Sequence, residues 1–255
     1  MAARARRVAL VTGGGRGIGR EVALALARGG YAVAVAARTR AELDDVAAAA
    51  RRLGVDAMAQ VLDVTDAASV TRAVDAVATT LGPVDVLVNN AGIAESAPLL
   101  KTDPALWDRH LRVNVTGPYL LTRAVLQGML ARGWGRVINI ASLAGLSGAP
   151  YVTAYSASKH ALVGFTRALA AEVAGRGVTV NAIAPGYTGT DLVWTAARNI
   201  AAKTGKSFDE AVLAMARINP GGRLIDPAEV AAAVSTLLDD AATNGETIVL
   251  DGRSP

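Results

Sequence analysis

The chain has no cysteine in its 255 residues, so disulfides and thiolate metal sites are excluded. It holds only two histidines, His110 and His160, too few for a histidine-rich metal centre. Aromatic residues make up only 4% of it, so the bulk of a core must come from Ala, Val and Leu within an apolar share of 52%. Small aliphatic residues suit helices packed on a buried parallel sheet. No apolar run reaches the ~18–20 residues that a membrane span needs. The opening Met-Ala-Ala-Arg-Ala-Arg-Arg lacks the long apolar stretch of a secretion signal. These absences predict a cytoplasmic protein with no metal and no membrane partner. Charge excess is also small, at +4, and Arg4, Arg6 and Arg7 supply much of it. Other basic residues are scattered rather than laid along one helix face. That pattern reads as a frayed basic terminus rather than a nucleic-acid surface. A mild positive field would still help an anionic cofactor arrive.

What is present is a strict alternation of strand and helix. Strand-like runs fall at 8–12, 32–37, 57–62, 84–89, 136–141, 178–184 and 247–250, mostly continuous apolar stretches of the kind buried on both faces. Helical stretches lie between them at 17–28, 41–53, 67–81, 104–132, 155–174 and 227–238. Asp66 and Asp226 stand where N-caps belong, and Pro227 at a first helical position. The repeated βα units predict an α/β fold: a Rossmann-like, doubly wound parallel sheet of about seven strands in one domain over residues 1–255. About forty residues without a strand interrupt the rhythm after Ala184. Within them Thr190–Lys203 and Ser207–Ile218 look helical, joined by Thr204-Gly205-Lys206. Such an excursion at a strand's carboxyl end predicts a substrate lid over about 187–225.

The first strand runs into Gly13-Gly14-Gly15-Arg16-Gly17-Ile18-Gly19 and then a helix. Free N–H groups and the positive dipole end of that helix favour a phosphate, and glycine lets the backbone approach it. The spacing of Gly13, Gly17 and Gly19 is G-x-x-x-G-x-G, not the strict G-x-G-x-x-G. At the end of the second strand an acidic residue would bind a free ribose 2′-hydroxyl, whereas a basic one suits a 2′-phosphate. Here the order is Ala36-Ala37-Arg38-Thr39. Arg38, with Arg16 in the glycine turn, predicts NADP(H) over NAD(H).

Tyr155-Ser156-Ala157-Ser158-Lys159 opens a helix, and Tyr155 and Lys159, four apart, share a face. A phenol of pKa ~10 is a poor proton donor or acceptor at neutral pH, and a nearby ammonium would lower that value. Ser142 follows a strand and so places a hydroxyl at the sheet's carboxyl edge.

Taken together, these motifs resemble those of the short-chain dehydrogenase/reductase family from Val8 to about Gly252. Thr12-Gly13 with Gly17-Ile18-Gly19 is similar to the family's cofactor turn, and Asp63-Val64 to the pair bordering the adenine. Asn89-Asn90-Ala91-Gly92 resembles its fourth-strand motif. Asn114, Ser142, Tyr155 and Lys159 match its catalytic tetrad. Pro185-Gly186, with Thr188 and Thr190, resembles the segment holding the nicotinamide end. The resemblance implies an oxidoreductase interconverting a ketone and a secondary alcohol. Tyr155 would move the proton, Lys159 would lower its pKa and bind the nicotinamide ribose, Ser142 would hold the carbonyl, and Asn114 would position a water. The length after Pro185-Gly186 resembles that of polyketide and acyl-group ketoreductases, which hints at a bulky or thioester-borne substrate. Pocket segments 93–99, 143–152 and 187–215 are mostly apolar, which suits a hydrophobic substrate. The helix from Tyr155, apolar nearly all round, predicts a homo-oligomer, a tetramer or a dimer. A non-catalytic NADP(H)-binding regulator would not need the tetrad, and a methyltransferase would leave the tyrosine–lysine pair and Arg38 without a role. The short tail Asp251–Pro255 departs from the family pattern, in which a second glycine and a longer tail are usual.

Overall fold

The computed structural model describes residues 7–253. Arg4 and Arg6 of the basic terminus, and Ser254 and Pro255 of the tail, lie outside the described residues. Arg7 is not frayed: its guanidinium lies 3.5 Å from the centre of the Trp134 ring. Cation–π contact and the flat indole face hold it there.

Seven strands form one sheet: β1 Val8–Thr12, β2 Ala32–Ala37, β3 Ala57–Val61, β4 Val84–Asn89, β5 Gly135–Ile140, β6 Val178–Pro185 and β7 Thr247–Leu250. Their spatial order is β3-β2-β1-β4-β5-β6-β7, and every adjacent pair is parallel. The order reverses between β1 and β4, which opens a crevice beyond their carboxyl ends. Alternate residues of β1 serve opposite faces. Ala9 and Val11 pack toward α1 (Gly17–Arg28), α2 (Arg40–Arg52) and α9 (Pro227–Asp239). Val8 and Leu10 pack toward α3 (Ala67–Thr80), α5 (Gly117–Arg132) and α6 (Thr153–Glu172). Each fully buried Val or Leu contributes about 1.5–3 kcal/mol. Only the edge strands escape double burial, with Val61 and Val249 exposed.

Helix ends follow the predicted caps. Asp66 accepts from the Ala68 N–H, and Asp226 from that of Ala228, with Pro227 in the first turn. The stretch at 104–132 is not one helix. It divides into α4 (Pro104–Leu111), a π turn (Arg112–Thr116) and α5. Pro118 explains the break, because it offers no N–H to the carbonyl of Asn114 four residues back.

The segment after β6 carries α7 (Asp191–Thr204) and α8 (Phe208–Ala216), with Gly205 in the left-handed region between them at φ 72°. Its two ends meet in a narrow neck. The Ile225 N–H donates to the Tyr187 carbonyl and the Gly189 N–H to that of Ile225, each at 2.9 Å. Buried Asn219 fastens the same neck. It accepts from the Tyr187 N–H at 2.8 Å and donates to the Tyr187 and Arg223 carbonyls at 3.0 and 2.7 Å.

Candidate active site

The glycine turn leaves β1 at the crevice. Gly13 and Gly17 have φ of 62° and 52°, in the region that favours glycine. A side chain at Gly19 would strike the Gly13 carbonyl, so helix and turn sit back to back. The start of α1 has no side-chain cap and no acid in its first turn, whereas α3, α4, α8 and α9 are all capped by side chains. Bare backbone and uncapped N–H groups form a cradle that fits a pyrophosphate. Gly14 and Gly15 are buried, Gly15 against Glu42 of α2.

At the switch point, Thr12 Oγ1 donates to the Val88 carbonyl and accepts from the Asn90 and Ala91 N–H groups at 3.0 Å. The Asn90 amide donates to the Thr12 and Gly13 carbonyls at 2.9 and 3.2 Å. These bonds tie the glycine turn to the end of β4. Gly92 carries the chain toward the tetrad. A methyl added there would lie 3.2 Å from Asn114 Oδ1 and 3.6 Å from Lys159 Nζ. The nucleotide cradle and the lysine thus flank one short segment, Asn90–Gly92.

The four residues of the expected tetrad come from three elements. Ser142 follows β5, Tyr155 and Lys159 lie in the first turns of α6, and Asn114 sits in the π turn. Lys159 is buried, and its ammonium donates to the Ile140 carbonyl at 2.7 Å. Burial lowers its pKa from 10.5 to about 8. Nζ is 5.8 Å from the centre of the Tyr155 ring. The expected lowering of the phenol pKa is not what this arrangement gives. Burial raises it, a hydrogen bond with Ser142 pulls it back, and Tyr187 pushes it up again. Removal of water from the phenol therefore outweighs an ammonium that is already engaged by a carbonyl. Asn114 uses its side chain internally. Its Oδ1 accepts from the Ile93 N–H at 2.9 Å, and its amide donates to the Ile93 carbonyl and to Ser158 Oγ at 3.0 and 2.9 Å.

Toward the other end of the crevice, Arg38 and Thr39 are exposed after β2. Arg16 is exposed too, 3.8 Å from the Glu42 carboxylate. Asp63 turns its carboxylate to Thr65, whose N–H and hydroxyl hold its pKa down, with Arg38 assisting. Val64 is buried and packs where a side chain on Gly117 would otherwise stand. Ile18 faces the α1–sheet core. Pro185 ends β6, and the Gly186 N–H donates to Leu250. Thr188 bridges to Ile225, and the Thr190 side chain approaches Gly17, its Cγ2 lying 3.2 Å from a methyl placed there. The root of the segment after β6 therefore reaches across to the glycine turn.

The motifs contain Asn89 and Ser158 but do not reveal their partners. Asn89 donates to Asn139 and Thr122, and Asn139 to Thr166, a buried amide chain joining β4, β5, α5 and α6. Ser158 anchors Asn114 and was in view inside the Tyr155–Lys159 motif. Asn219 and His110 gave no spacing signal.

Comparison with known proteins agrees with this geometry. The family described as short chain dehydrogenase matches residues 7–201. A protein of Streptomyces virginiae bearing the name of the monensin polyketide synthase ketoacyl reductase is 43% identical, covering 93% of this chain and 92% of its own. The 3-oxoacyl-acyl-carrier-protein reductase of Vibrio harveyi is 37% identical, covering 96% of each chain. A crystal structure of an actinorhodin polyketide ketoreductase variant with NADPH superposes with a TM-score of 0.93 at 38% identity, covering 99% of this chain and 98% of that one. Family match, near-full-length relatives and an assembled tetrad beside a nucleotide cradle lead to one conclusion: the chain belongs to the short-chain dehydrogenase family, whose enzymes oxidise alcohols and reduce carbonyls.

Proposed function

We propose that the chain is an NADP(H)-dependent ketoreductase acting on a hydrophobic ketone, of the class of 3-oxoacyl thioesters or polyketides. The observation that carries this is that Lys159 and Asn114 stand against Gly92, in the segment that also borders the glycine cradle, with the Tyr155 ring centre 5.8 Å from Lys159 Nζ and its phenol bonded to Ser142. The relatives named for ketoacyl reduction, and the NADPH-bound neighbour, support the substrate class and the cofactor. Gly13, Gly15, Gly17, Ile18 and Gly19 would shape the pyrophosphate cradle. Asp63 and Val64 would border the adenine, and Asn90, Ala91 and Gly92 the ribose. Arg16, Arg38 and Thr39 are the groups available to a 2′-phosphate, and Pro185, Gly186, Thr188 and Thr190 would flank the nicotinamide.

The bound cofactor supplies the hydride, chemistry that no side chain here possesses. Ser142 donates to the substrate oxygen and holds it as negative charge develops. Tyr155 gives the proton to that oxygen in reduction and takes it in oxidation. Desolvation keeps the Tyr155 phenol protonated at neutral pH, so the proton is in place for reduction, and its bond with Ser142 draws the pKa back down. Lys159, with a pKa of about 8, can pass a proton on near neutral pH. Asn114 contributes its main-chain carbonyl as the water acceptor, since Pro118 cannot pair with it and its side chain is committed elsewhere. The lid at 187–225 covers the ketone, and the compartment proposed is the cytoplasm, which maintains the reduced cofactor.

Assembly is proposed on a groove between α5 and α6, where Leu126, Leu130, Phe165 and Leu169 form an apolar floor rimmed by Arg123 and Glu172. None of the lid helices covers α6, which instead packs on β6, α4 and the turn after β5. A second copy of the chain is the proposed cover, giving a dimer or tetramer.

Steady-state turnover of a panel of cyclic, aryl and 3-oxoacyl ketones with NADPH and NADH tests the reading. NADPH is expected to be preferred, and Tyr155→Phe to lose ~10²–10⁴-fold in turnover while NADPH still binds. Undiminished turnover in that variant would overturn the mechanism.

A further inference from the structure

His110 is fully buried, at 0% exposure, although histidine is seldom so. It lies in the last turn of α4. Both ring nitrogens are engaged by backbone. The Glu95 N–H donates to Nε2 at 3.2 Å, and Nδ1 lies 2.9 Å from the Leu106 carbonyl. An amide N–H can only donate, so Nε2 is the acceptor and Nδ1 carries the proton toward Leu106. The ring is thereby fixed in tautomer and in orientation.

Its edge meets the Tyr155 ring, with centroids 6.3 Å apart and planes at 69°. Edge-to-face contact of this kind sets the angle of both rings. The other constraints on the Tyr155 ring are the Lys159 ammonium, 5.8 Å from its centre, and the bond from Ser142. Glu95 belongs to the irregular segment between β4 and the helical turn at Leu99, which lies beside the proposed tetrad through the two bonds between Ile93 and Asn114. That segment is pinned at Ile93 by Asn114, at Glu95 by His110 and at Ala97 by the Tyr151 carbonyl, 2.8 Å away. Its remaining tie is an exposed ion pair between Glu95 and Arg109.

We propose that His110 is a positioning residue that couples the Ile93–Ala97 pocket wall to the angle of the Tyr155 phenol. One imidazole performs two separable tasks. Its ring orients the proton donor, and its Nε2 holds the wall against which the ketone lies. The inference rests on Tyr155 being the proton donor, as proposed above.

Two variants divide the tasks. His110→Phe keeps an aromatic edge and removes the Glu95 bond. Ketone KM should rise about tenfold with kcat within threefold of the parent. His110→Gln can keep an acceptor for Glu95 and a donor for Leu106 but removes the ring. There kcat should fall at least tenfold, KM should stay within threefold, and NADPH affinity should be unchanged. Arg109→Ala, which breaks only the exposed ion pair, should leave both constants within twofold. Equal loss in kcat and KM for both histidine variants, or no change in either, overturns the proposal, as does an Arg109→Ala that mimics His110→Phe. If His110→Phe does not fold, His110→Gln decides alone: a fallen kcat at steady KM upholds the coupling, and an unchanged kcat overturns it. Tyr155→Phe, run in the same assay, separates the two readings. If it remains active, the mechanism fails whatever the histidine variants do.

Discussion

Lys159 shows what the site costs the fold. Holding an ammonium in a buried position lowers its pKa from 10.5 to about 8, a shift worth about 3 kcal/mol. The bond to Ile140 offsets part of that. In the window from about 8 to 10.5 the unfolded chain binds the proton and the native one does not, so stability rises with pH there. Lys159→Met should therefore melt several degrees higher than the parent at pH 7 while losing turnover. The gap should narrow as pH passes from 8 toward 10. Thermal melts at the two pH values check this, and a variant that melts lower at pH 7 would refute it. At this scale type and spacing singled out Tyr155, Lys159 and Ser142, and the resemblance to the family added Asn114. The direction of the tyrosine pKa was not legible. It depends on how much water the folded chain removes from the phenol, which no spacing encodes. His110 was likewise illegible, since its meaning lies in contacts with Glu95 and Tyr155 that only the packing of α4 on α6 creates.

Among the elements, strands and caps were read closely and the long helical stretch was not. Residues 104–132 keep helical periodicity throughout, and that continuity masked the signal of Pro118, a residue that cannot complete the ladder to Asn114. The resulting π turn carries Asn114, a residue of the proposed tetrad, and such turns are frequent at functional sites. The two helices after β6 were also foreseen, but their neck was not, because one asparagine closes it over thirty residues from its partner. Asn219→Ala would leave the Tyr187 N–H and the Arg223 carbonyl without that partner, while the Tyr187 carbonyl keeps the Ile225 N–H, at about 1–3 kcal/mol for a buried group so orphaned. Amide hydrogen exchange should accelerate selectively across 187–222, with the central strands unchanged. Uniform protection in that variant would mean that the Tyr187–Ile225 ladder holds the neck unaided.

For the molecule as a whole, the doubly wound parallel sheet of seven strands followed from the alternation of strand and helix, because parallel strands demand crossovers and crossovers have one hand. Assembly is less determined by sequence, since an apolar helix face does not name its cover. If the α5–α6 groove pairs with its own copy, a two-fold contact brings each residue near its counterpart, and an added charge repels twice over. Light scattering should give a dimer or tetramer for the parent and a smaller species for Leu126→Glu. A monomeric parent would dismiss the pairing.

The neck has one more implication. Because the excursion leaves and rejoins the sheet at adjoining points, Tyr187 and Ile225, it is attached like a cassette on a single mount. Descendants of this scaffold can exchange, lengthen or redecorate that cassette while the strands and the proton machinery beneath stay in register, so that new substrates are acquired without rebuilding the chemistry.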